Sequence, residues 1–180
     1  MRLQMTVILL CAACVLAAVW GYRWMYPYGE RCCILPSIWI GLYSYAVDKE
    51  GSFPDDPKGP LAALSKLYPD YFAVGDEYVL AGFSGDENET SRALRNSEAL
   101  NPKGCSWVYQ PGLKLNDDPR IALLWEKEFG LKTNGRRDFK RRRVVLLVNG
   151  ETRLIAENDW PEFQRQQNAL KSAPRKPGPE

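Results

Sequence analysis

The chain has 180 residues, 45% hydrophobic and 26% charged, a balance that excludes disorder throughout. Lys and Arg number 24 against 22 Asp and Glu, a net charge of +2 that gives no overall drive toward nucleic acid. Histidine is absent, which removes Ser-His-Asp and Cys-His nucleophile systems and every imidazole metal site.

Residues 3–20, LQMTVILLCAACVLAAVW, form an apolar run in which only Gln4 and Thr6 are polar. That length is at the short end of what spans a bilayer as a helix. Trp20, Tyr22, Trp24, Tyr26 and Tyr28 follow at once, amphipathic rings of the kind that settle at the headgroup level. The run is longer than a usual signal-peptide core, so residues 1–24 are expected to be a retained anchor held in membrane lipid through residues 3–20. A cleaved signal sequence, with Arg2 before it and Val15-Leu16-Ala17 as its cleavage site, is the competing reading. Arg2 on one side faces Arg23 and Arg31 on the other, and a short N-terminal tail stays in the cytoplasm. About 155 residues then remain on the outer side, enough to bury a single core. Cys32, Cys33 and Cys105 in that part are candidates for one disulfide in an oxidising space, or for small packed hydrophobes.

A juxtamembrane linker is expected over 25–36 and a folded domain over 37–170. Residues 37–47 set Ile38, Leu42, Tyr45 and Ala46 on one helical face, with Ser37 able to cap. That helix must end before the prolines of Phe53-Pro54-Asp55-Asp56-Pro57. Leu61, Leu64, Leu67 and Tyr68 predict a second helix, with Pro60 in its first turn and Pro69 beyond its end. Glu77 to Leu80 reads as a brief strand, and Thr90 to Leu100 as an exposed helix. From Cys105 the pattern turns to β: strands are expected near 105–110, 120–126, 143–149 and 151–155. The last two flank Asn149-Gly150, the pair a type I′ hairpin turn prefers. Asn158 or Asp159 can cap a final helix entered through Pro161. Residues 171–180 read as a disordered tail.

Three pieces carry a resemblance. Cys33 to Pro54 holds a cysteine, an amphipathic stretch, and then Tyr45, Ala46, Asp48, Gly51, Phe53 and Pro54. Ala63 to Tyr71 reads Ala-Leu-x-x-Leu-Tyr-Pro-x-Tyr. Trp107-Val108-Tyr109-Gln110-Pro111-Gly112-Leu113, Ile121 to Glu126 and the terminal hairpin complete the set. In this order they resemble the pilin-like proteins with a prepilin-type anchor, whose heads are similar to those of type II secretion pseudopilins. The resemblance covers most of 33–155. It implies an α+β fold, a membrane helix followed by short helices on a small, mainly antiparallel sheet. It also implies a bacterial inner-membrane location with the head in the periplasm, and partners among secretion or pilus-like assembly proteins. There are departures. Residues 1–10 lack the prepilin cleavage motif, and Phe139 and Asn149-Gly150 stand at the family's His and Asp-Gly. Ala81-Gly82 replaces its Cys-Pro. The family's cysteine matches Cys33; Cys105 is the partner considered for it, or for Cys32, if the domain is exported.

No residues stand out as catalytic. Gly82-Phe83-Ser84-Gly85 misses a nucleophile elbow by one position and reads as a surface turn. Asp86-Glu87-Asn88-Glu89 lacks the calcium-loop glycine, and Asn116-Asp117-Asp118 reads as a turn, so no metal site and no cofactor is expected. Arg136, Arg137, Lys140, Arg141, Arg142 and Arg143 place six cations in eight residues beside Phe139. They read either as a solvated loop entering a strand or as a patch for an anionic ligand such as acidic headgroups, with nucleic acid disfavoured by the context. The expected function is non-enzymatic, a tethered pilin-like domain acting through protein contacts. A membrane-anchored module using segment 136–143 for an anionic ligand is the alternative.

Overall fold

The computed structural model describes residues 2–172. Helix α1 runs Arg2–Met25 without a proline and stops at Tyr26, whose following Pro27 disfavours helical backbone. It is long and apolar enough to cross a membrane, and none of that apolar stretch is buried. The expected tail lies largely outside the described residues, and α6 reaches into its first two positions.

Helix α2 spans Ile34–Asp48, so it begins one turn before the expected start at Ser37. Cys33, in the left-handed region at φ 66, precedes it. Core packing decides the start, because Ile34 and Leu35 are both buried. Pro36 is tolerated there because the first-turn N–H groups have no intrahelical partner. At the other end the Gly51 N–H donates to the Ala46 carbonyl at 2.8 Å, closing a Schellman-type turn. Helix α3 covers Pro60–Ser65 with proline at its first position. Glu77–Ala81 is a helix, α4, where a strand was expected. Four apolar-leaning residues do not distinguish the two, and the buried Trp107 resolves it by donating its indole N–H to the Val79 carbonyl at 2.9 Å. Helix α5, Glu87–Arg95, starts earlier than expected because Asp86 accepts from the Asn88 and Glu89 N–H groups at 3.0 and 3.2 Å.

Four strands follow, β1 (Trp107–Tyr109), β2 (Ala122–Glu126), β3 (Arg142–Leu147) and β4 (Thr152–Ala156). They form one antiparallel sheet in the order β1-β2-β3-β4. A 3-10 turn over Glu157–Asp159 leads into α6, Trp160–Ser172. The fold is therefore α+β.

Both faces of the sheet are covered. Val144 and Leu146 join the main core with Ile34, Ile38, Leu42, Leu80 and Trp107, whereas Val145 and Leu147 meet Phe163 and Trp160 of α6. This double burial is why β3 reads as a continuous apolar run rather than an alternating one. Leu123 and Leu124 share the main core because the register shifts between Ala122 and Leu124.

Candidate functional site

The run of cations does not act as one patch. Strand alternation sends Arg142 and Arg143 to opposite faces of β3. Arg142 donates from Nε to the buried Asp138 at 2.7 Å. Burial pushes the Asp138 carboxyl up, but the Arg142 guanidinium and the Lys140 N–H outweigh it and hold the group below its ordinary value. Arg143 lies between two rings, 3.8 Å from the Phe129 centroid and 4.1 Å from that of Trp160, and its Nη2 donates to the Lys127 carbonyl at 2.8 Å. Burial lowers the pKa of Arg143, and its Nε has no hydrogen-bond partner. The stacked rings take the place of one. Arg141 pairs with Glu157 in the turn before α6.

Arg137 joins the head to α1. Its backbone N–H donates to the Met25 carbonyl at 2.8 Å, its Nε to the Trp24 carbonyl at 3.0 Å, and its guanidinium lies 5.7 Å from the Trp24 ring. These carbonyls belong to the last turn of α1, where a cation meets the negative end of the helix dipole. A third bond runs from the Arg31 N–H, in the segment after α1, to the Asn134 carbonyl at 3.1 Å. Gly135, at φ +79, fits there because a Cβ would lie 2.9 Å from the Gly29 carbonyl oxygen. Phe139 is 64% exposed and packs on Trp24 with ring centroids 5.5 Å apart. Arg136 and Lys140 are exposed on the same loop, with no side-chain partner among the described residues. The expected patch thus contracts from six cations to these two, at the foot of the head.

The bridge considered between Cys33 or Cys32 and Cys105, one of the two readings of these cysteines, is not formed in this structure. All five are free; Cys105 is buried at the entry to β1, and Cys33 is exposed at the head of α2.

One polar network lay beyond the sequence reading. Glu126, at the end of β2, is fully buried. Ser84 Oγ donates to its Oε1 at 2.7 Å, while Ser106 Oγ and the Phe83 N–H donate to Oε2 at 2.8 and 3.0 Å. Burial pushes the Glu126 carboxyl up, opposed by these donors. The half-buried turn at Ser84 is therefore tied to the sheet. Glu126 has no solvent-exposed surface at which a substrate could reach it, so the contacts serve packing. A glutamate closing an apolar strand was the available signal, but its donors lie 20, 42 and 43 positions away.

The described residues also line two surface depressions. A groove of about 230 Å³ lies between β2 and α6, beside Trp125, Trp160 and Gln167. An open one of about 510 Å³ is lined by Tyr28, Arg31, Cys32, Tyr78 and Glu87. No cluster of three or more metal-ligating side chains occurs among the described residues. Asp117 and Asp118 form turn contacts, accepting from the Lys114 N–H and pairing with Arg120.

The chain matches no family model, no curated protein and no solved structure.

Proposed function

We propose that this chain is a single-pass protein of a bacterial inner membrane whose periplasmic, pilin-like head works through protein contacts rather than catalysis, at the edge of a secretion or pilus-like assembly. The observation that carries the reading is the outer face of α2. Ile40, Tyr43 and Val47 are 62%, 47% and 55% exposed, while Ile38, Leu42 and Ala46 on the opposite side are fully buried. Positions 40, 43 and 47 repeat at three- and four-residue steps, the spacing with which one helix meets another. Their location, beginning within two turns of the start of α2, suits a neighbour that is itself membrane-bound.

A photo-reactive aromatic residue in place of Tyr43, in cells of the source bacterium, tests the reading. A covalent adduct with a protein of a secretion or pilus-like assembly is expected, and Ile40→Glu should abolish it. Adducts to lipid alone, or none, would refute it.

A further inference from the structure

We propose that the turn from Arg136 to Lys140 is a second membrane contact, in which Phe139 enters the interface beside Trp24 while Arg136 and Lys140 meet the phosphates of anionic lipid headgroups. The inference rests on the reading of α1 as a membrane span. Depth then follows from helix geometry. Residues 3–20 rise about 27 Å at about 1.5 Å per residue, close to the roughly 30 Å hydrocarbon thickness of a bilayer. Trp24 lies four residues past Trp20, about 6 Å further along, which is inside a headgroup layer about 5–7 Å deep. Phe139 packs against that ring, centroids 5.5 Å apart, and so shares its depth.

The loop is held at this depth by the bonds from Arg137 to the Met25 and Trp24 carbonyls. Arg137 is therefore committed to the helix end, whereas Arg136 and Lys140 flank Phe139 and remain exposed. An apolar ring 64% exposed between two exposed cations suits the boundary between acyl chains and phosphates. With α1 and this loop both engaged, the head would be held in one orientation on the membrane rather than swivelling about the segment after Met25. A neutral bilayer would satisfy the ring but not the charges. An anionic one satisfies both.

The test uses the full-length chain in nanodiscs of phosphatidylcholine, alone or mixed with phosphatidylglycerol. Photo-reactive benzoylphenylalanine replaces Leu10, Phe139 or Asn149 in separate preparations. Position 10 reports on the span, 139 on the proposed contact, and 149 on the opposite end of β3. Lipid adducts are expected from 10 and 139 and not from 149. With phosphatidylglycerol present, the yield at 139 should fall about fivefold or more in the double variant Arg136→Glu, Lys140→Glu, the size that loss of one basic contact near an anionic surface carries. Neither side chain has a partner among the described residues, so the head should keep its circular dichroism. No lipid adduct at 10 would defeat the membrane reading itself. An adduct at 10 without one at 139, equal yields from 139 and 149, a yield at 139 indifferent to anionic lipid or to charge reversal, or a protein adduct at 139 would each overturn this inference alone.

Discussion

Replacing Glu126 by Ala should unsettle the head without touching its apolar core. The change removes Cγ, Cδ and both carboxylate oxygens from a fully buried site. The Ser106 hydroxyl can turn to the Ala81 carbonyl at 3.1 Å, and the half-buried Ser84 hydroxyl can reach water. The Phe83 N–H has no such escape, since Phe83 is itself fully buried. An orphaned buried donor costs about 1–3 kcal/mol. A residual cavity of roughly 60–70 Å³ at about 24 cal/mol per Å³ adds about 1.5 kcal/mol. Relief from burying a carboxyl offsets part of this, leaving a net loss of about 2–4 kcal/mol, a large share of the 5–15 kcal/mol typical of a domain. Glu126→Gln keeps the volume and one carbonyl oxygen for Phe83 and Ser106, and its amide can donate to Ser84, so it should cost about 1 kcal/mol or less. Denaturant unfolding of the full chain in detergent measures both, with near-UV circular dichroism following Trp107, whose ring lies 5.6 Å from Phe83. An equal loss in the Gln and Ala variants would refute the reasoning, because the negative charge rather than the acceptor geometry would then be what holds the turn.

The pH profile separates the two carboxylates with opposite shifts. Because burial raises Glu126, the folded state binds its proton more tightly, so its contribution is complete below the unfolded pKa of about 4.3 and is lost as pH rises through the folded value; Glu126→Gln should remove that slope. Glu89 behaves the other way: Arg92 and Asn101 hold it down to about 2, so its contribution is present above about 4.3 and lost as pH falls toward 2, and Glu89→Gln should flatten the acid limb of an unfolding titration. Gly150→Ala should destabilise by about 1–3 kcal/mol, since φ is +82 and the new Cβ would lie 2.6 Å from Trp39 Cε2; unchanged stability in thermal unfolding would show that the turn relaxes freely. Cys105, its thiol pushed up to about 12 by burial, should resist maleimide at pH 8 while the exposed Cys32 and Cys33 react; labelling of all three at one rate in the native protein would contradict its buried placement.

Much of the architecture was local enough to read directly. An apolar run of membrane length, the apolar face of 38, 42, 45 and 46, prolines at 60 and 161, and an Asn-Gly pair between two apolar segments each act within a few residues, and so α1, the body of α2 though not its start, α3, the β3–β4 hairpin and α6 could be anticipated from spacing alone. Glu77–Ala81 could not, because its short pattern suits strand or helix and the choice fell to Trp107, 28 positions from the Val79 carbonyl it contacts. The cations show the same division more sharply. Their density between 136 and 143 is plain in the sequence, but its meaning is not, since charge along a chain does not say which side chains will find partners. Asp138 takes Arg142, Glu157 takes Arg141, two rings from separate segments take Arg143, and the end of α1, 113 positions away, takes Arg137. Only the folded chain brings these together, and by pairing them it leaves Arg136 and Lys140 as the exposed remainder beside the end of α1. A sequence determines which charges are present and how helices and turns begin; which charges stay free is decided by contacts between residues far apart in the chain, whose closure depends on the whole core forming.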